Sequence, residues 1–71
     1  MKKLEEVIKE SVGKKGKIEA VRQSDGYKGV VAIVFPWSKK EALLSEATKK
    51  TKELEGDAYQ WVIEGYIFTS L

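Results

Sequence analysis

Near the N-terminus the apolar positions recur with the period of a helix. Leu4, Val7, Ile8, Ser11 and Val12 share one face at the i, i+3, i+4 spacing, and Glu5 is placed to pair Lys9. Gly13 supplies a C-terminal stop. The period then changes to two. Residues 17–24 and 27–36 read as strands around Asp25-Gly26, a two-residue turn signal because glycine tolerates the positive φ such a turn requires. That turn pairs Ser24 with Tyr27. It puts Ile18, Ala20, Val31, Ile33 and Phe35 on one face, taken as the core face, and Lys17, Glu19, Val21, Val30, Ala32 and Val34 on the other. The second face is apolar along the second strand and mostly polar along the first. This predicts an edge position for the first strand and a central one for the second.

Pro36 has no N–H to give to a ladder and ends the hairpin. Ser38-Lys39-Lys40-Glu41 has the form of a capping box, with Ser38 as the cap, Glu41 reaching back, and Trp37 placed to staple over Ala42. A helix is expected over 39–55, stopped by Gly56. Its apolar stripe is thin: Leu43, Leu44, Ala47 and Leu54, with Lys50 and Thr51 where core residues would stand.

Over 57–71 the large apolar residues fall first at odd positions (Tyr59, Trp61, Ile63) and then the aromatics fall at even ones (Tyr66, Phe68). A period of two cannot change phase without a reversal or an insertion. Glu64-Gly65 is therefore a hairpin turn, the reading preferred on strand length, or a bulge in one long strand. The resulting order is α-β-β-α-β or α-β-β-α-β-β. The expectation is one α+β domain over 1–71: a mostly antiparallel sheet of three or four strands with two helices on one face.

Composition narrows how such a domain can be held together. A chain of 71 residues buries only about 60% of the surface its unfolded form exposes. Small folds often add a disulfide, a metal or a second subunit. With no Cys and no His, the disulfide and the thiolate or imidazole metal sites are excluded, which leaves self-association, most simply as a dimer, or an unusually well-packed monomer. Twelve Lys and one Arg face nine Glu and two Asp, a net charge of +2, so the chain is only mildly basic. The Lys and Glu bias resembles that of hyperthermophile proteins. The longest apolar run, 30–37, is too short to cross a bilayer, and acidic residues stand where a signal peptide needs an apolar stretch. A cytoplasmic protein without membrane contact is expected.

No catalytic constellation is visible. Glu64 is the one acid inside an apolar segment, where burial could raise its pKa, but its Gly neighbour points to an exposed turn. Asp25 and Asp57 stand in turn positions, and no Gly-rich phosphate loop occurs. No enzyme activity, cofactor or metal is expected. Two surfaces remain. Trp61, Tyr66 and Phe68, with Val30, Ala32 and Val34 on the opposite face, offer apolar sheet surface to a second copy or a partner protein. Lys14, Lys15, Lys17, Lys39 and Lys40 form a second candidate, for anions or nucleic acid. Lys39 and Lys40 oppose the helix dipole and so have no stability rationale, although the single Arg argues against sequence readout. A protein-interaction module is the leading expectation and nucleic-acid binding the alternative. A small-molecule pocket using Glu64 or a Tyr hydroxyl is a third possibility.

Overall fold

The computed structural model describes residues 2–57 and 61–71. In chain order the elements are α1 (Leu4–Ser11), β1 (Gly16–Arg22), β2 (Lys28–Val34), α2 (Lys40–Asp57) and β3 (Ile63–Ser70). The strands form an antiparallel sheet in the order β2-β1-β3. Both helices lie on one face, α1 over β3 and β1, α2 over β2. The fold is α+β, and of the two orders considered it takes α-β-β-α-β. The first strand is central, not an edge. Lys17 and Glu19 are polar because the face they point to carries no helix, so polarity along a strand reported an open face and not an open side.

The hairpin explains why the faces differ from the expected assignment. The chain reverses through the four residues 23–26: the Arg22 N–H donates to the Tyr27 carbonyl at 2.8 Å and the Gly26 N–H to the Arg22 carbonyl at 2.8 Å. Gly26, at φ 75°, takes the left-handed position that closes the loop. Compared with a two-residue turn this moves the register by two, which leaves every side chain on its expected face. Farther along, Glu19 pairs with Val30 while Ile18 pairs with Ala32, so Val31 is an extra residue in a bulge. That single insertion inverts the alternation beyond it. Ala32 and Val34 turn inward and are fully buried, whereas Ile33 and Phe35 turn outward.

The same device settles the last segment. Val21 pairs with Gly65 and Arg22 with Ile63, leaving Glu64 as the extra residue of a second bulge. Residues 63–70 are thus one strand, and the hairpin reading of Glu64-Gly65 does not hold. Tyr59, the first residue of the odd-numbered set, lies outside the described residues.

The core is one cluster: Val7 and Ile8 from α1, Ile18 and Ala20 from β1, Val31, Ala32 and Val34 from β2, Leu43 and Ala47 from α2. Leu4, Leu54, Ile63, Tyr66 and Phe68 pack around it. Each large member, such as Ile8 or Leu43, contributes about 1.5–3 kcal/mol by leaving water. Gly16 is required by packing. A Cβ there would meet the Phe68 ring at 2.6 Å and come closer still to the Thr69 carbonyl oxygen.

The ends of the helices differ from expectation in detail. Gly13 does end α1, at φ 83°, but Val12 is exposed. The Ser38 hydroxyl does not cap α2; it faces backward and accepts the Phe35 N–H at 2.9 Å, while the Leu43 N–H donates to the Lys39 carbonyl. Trp37 does not staple over Ala42 but stacks on Phe35. Gly56 falls inside the last turn of α2 and does not stop it. Thr51, an odd choice for a core stripe, is explained by hydrogen bonding. Its hydroxyl donates to the Ala47 carbonyl at 2.7 Å and therefore accepts from the Tyr66 hydroxyl at 3.1 Å, tying α2 to β3.

Candidate functional site

Among the described residues no helix lies over the second face of the sheet. The central row on β1 is Lys17, Glu19 and Val21. Ile33, Val30 and Lys28 flank it on β2, and Thr69, Ile67 and Gly65 flank it on β3. Val21 is buried on this face and stands outside the core cluster that includes the helices. Glu19, across from both Val30 and Ile67, is also buried and accepts a hydrogen bond from the Thr69 hydroxyl at 3.3 Å. Val30 is 43% exposed and Ile33 40%, each a large β-branched side chain facing water. The surface is therefore an apolar strip along β2 beside one Lys–Glu pair on β1.

At the end of the sheet near Val34 the chain makes a tight turn. The Ser38 N–H donates to the Phe35 carbonyl and the Phe35 N–H to the Ser38 hydroxyl, both at 2.9 Å. Phe35 and Trp37 stack with centroids 4.9 Å apart and planes at 7°, and Trp37 is 75% exposed. Gly16 pairs with Val34 at this end, so the lysines of the 14–17 segment and Lys39 and Lys40 are brought to the same edge of the molecule.

The opposite end of the sheet carries a compact cluster at the hairpin tip. The Arg22 guanidinium lies 5.0 Å from the Trp61 ring centre and 5.3 Å from that of Tyr27, and the two rings meet edge to face at 5.8 Å. Arg22 Nε donates to Asp25 Oδ1 at 2.9 Å and the Tyr27 N–H donates to the same oxygen at 3.0 Å. The Arg22 hydrogen bond, then that of Tyr27, holds the Asp25 carboxyl down at a pKa of about 2. Gly29 leaves room for Trp61, whose ring would lie 3.4 Å from a Cβ at that position. Trp61 Nε1 is buried and has no hydrogen-bond partner among the described residues.

The expected interface residues separate accordingly. Ala32 and Val34 are in the core beneath the helices, Trp61 is 6% exposed, and Tyr66 and Phe68 pack against the core, so none of these five forms an open apolar face. Val30 alone stands where an interface needs it. Ile33, Phe35, Trp37 and Ile67 are the residues that sequence reasoning did not select. The bulge at Val31 hid the first two, because Val30-Val31 carries no sign of an insertion.

Glu64 is exposed at its bulge, and the Tyr66 hydroxyl is engaged by Thr51. Open grooves of about 550 and 440 Å³ run beside the outer edge of β3, the first lined in part by Val7, Glu10, Lys14 and Phe68, the second by Leu4, Glu64 and Tyr66. Neither is an enclosed pocket between the sheet and the helices. Lys2 pairs with Tyr66 at this edge, its carbonyl accepting the Tyr66 N–H at 2.9 Å, and its ammonium pairs with Glu10. Among the described residues no helix is long and apolar enough to cross a membrane. No protein-family model, curated protein or solved structure matches this chain.

Proposed function

We propose that this chain acts as a non-enzymatic interaction module that binds a second copy of itself through the uncovered face of the sheet. The observation that carries this reading is the exposure of Val30 and Ile33 beside the buried Glu19 on a face with no helix over it. Apolar β-branched residues grouped on an open sheet favour a second apolar surface over water. The charges fit a copy of the same face. Lys17 and Glu19 are two residues apart on the central strand, so a two-fold axis crossing the strands between them sets each Lys against the other chain's Glu. The same axis lays Ile33 over Val30 of the second copy. A heterologous partner protein on this face is the other form of the reading.

Mass in solution tests it, measured by light scattering behind size exclusion over a range of concentrations. A dimer is expected, together with a monomer for Val30→Lys. The new lysine stands across from Glu19 and so leaves the fold intact while charging the face. A monomer for the native chain at high micromolar concentration, or a dimer unchanged by Val30→Lys, would overturn self-association through this face.

A further inference from the structure

We propose that the end of the sheet built from Phe35, Trp37 and the surrounding lysines is a binding site for single-stranded nucleic acid. Among the described residues Trp37 is the most exposed of the large apolar side chains, at 75%. Its ring is not loose, because it lies parallel on Phe35, and the turn beneath it is closed by two hydrogen bonds between Phe35 and Ser38. Pro36, with its fixed φ, removes further freedom. A pre-formed aromatic platform with one face to solvent is what an unstacked base requires, and every base has a π-face to offer.

The charges around the platform suit a phosphate backbone. Lys17 pairs with Ile33 and Gly16 with Val34, so β1 begins at the end of the sheet where β2 runs into Phe35. Lys14 and Lys15 continue on the β3 side, the Lys15 carbonyl accepting the Leu71 N–H at 3.1 Å and Lys14 lining the groove beside Phe68. Lys39 and Lys40 follow Trp37 after Ser38, and Lys40 opens α2. The ion pairs among the described residues are Lys2–Glu10, Arg22–Asp25 and Lys50–Glu53, and none uses Lys14, Lys15, Lys17, Lys39 or Lys40. Lys39 and Lys40 stand nearest the platform, against Glu41 on the first turn of α2. Lys17 lies on the open face beside Ile33, and Lys14 and Lys15 lie at the same end of the sheet on the β3 side, with Glu10 near Lys14. The chain's single Arg is committed at the far end of the sheet. Without an Arg fork to read base edges, the site is suited to stacking and phosphate neutralisation, and so to a strand of any sequence. A duplex keeps its bases stacked inside and offers the Trp37 ring nothing.

The two tryptophans make the test direct, since Trp61 is buried and Trp37 is not. The probe is a mixed-sequence oligonucleotide of about ten nucleotides, within the usual site size, titrated at low salt while tryptophan emission is followed. The red-shifted emission of the exposed ring is expected to be quenched, with that of Trp61 unchanged. Affinity is expected to fall with salt by about 0.7 in log–log slope for each phosphate neutralised. Trp37→Ala is expected to weaken binding by about tenfold or more, Trp37→Phe to keep most of it, and Lys39→Gln with Lys40→Gln to lower the salt slope. Circular dichroism checks that the variants stay folded. Val30→Lys is expected to bind the oligonucleotide as well as the native chain does, which separates this site from self-association. Absence of quenching at low salt, equal binding by Trp37→Ala, or a preference for duplex would overturn the proposal. So would a Trp37 signal that changes with protein concentration alone, since the platform would then be a protein contact.

Discussion

The two faces of the sheet are made of similar side chains and meet opposite fates. On one side Ile18, Val31, Ala32 and Val34 are closed off by Val7 and Ile8 of α1 and Leu43 and Ala47 of α2. On the other, Val30, Ile33 and Ile67 have the same aliphatic character but no helix above them. The difference comes from supply. Two amphipathic helices, one of them with a narrow stripe, cover one face of three strands and no more. The second face has Val21 and Glu19 buried in its middle and its apolar flank on β2 left to water.

The sharpest way to probe this contrast is to truncate one residue on each face. Leu43→Ala removes a fully buried side chain and is expected to lower stability by about 2–5 kcal/mol. Ile33→Thr on the open face is expected to change it by no more than about 0.5 kcal/mol. Urea unfolding at protein concentrations low enough to keep the chain monomeric reads both. Equal losses would mean that the open face is as well packed as the covered one.

Gly16→Ala probes how closely the covered face is packed. The added methyl meets the Phe68 ring and the Thr69 backbone, so a loss of about 1–3 kcal/mol is expected from overpacking. A neutral result would show that β3 can shift away from β1 at little cost.

Tyr66→Phe isolates the polar tie between the layers. It removes one half-buried hydrogen bond to Thr51 while keeping the ring, and about 1 kcal/mol is expected to be lost. Thr51→Val should show a comparable loss, and the double variant little more than either one, if the two hydroxyls act as a pair.

The smallest effect is expected at the hairpin tip, outside both faces. The Asp25 pKa is depressed in the folded chain, to about 2 from 3.8. Its contribution is therefore fully present above pH 4, falls as pH drops toward 2, and is absent below. Thermal unfolding across that window should show a slope that Asp25→Asn reduces. A slope unaffected by the substitution would show that the Arg22 pair is silent in solution.

Much of the fold was legible because helices and turns write themselves locally. Leu4, Val7, Ile8 and Ser11 announced α1, Asp25-Gly26 announced a reversal, and the phase change at Glu64-Gly65 announced an insertion or a turn before any strand was placed. The candidate site was hardly legible at all. Of the six apolar residues selected, only Val30 lies on the open face, because an unmarked bulge at Val31 inverted the alternation and sent Ala32 and Val34 inward and Ile33 outward. The five lysines were grouped as one candidate on charge, but that they lie at one end of the sheet depends on the pairing of Gly16 with Val34.

By itself the sequence determined the class and order of the first four elements and the absence of disulfide or imidazole staples, since these depend on residue type and on periods of a few residues. Tertiary structure decided that the last segment is one strand, which strand is central, which way each strand faces beyond its bulge, and that Phe35 and Trp37 stand at the same end of the sheet as the lysines of the 14–17 segment. Those properties follow from pairing across the sheet. A one-residue change in register there costs little locally and yet exchanges every side chain between core and solvent.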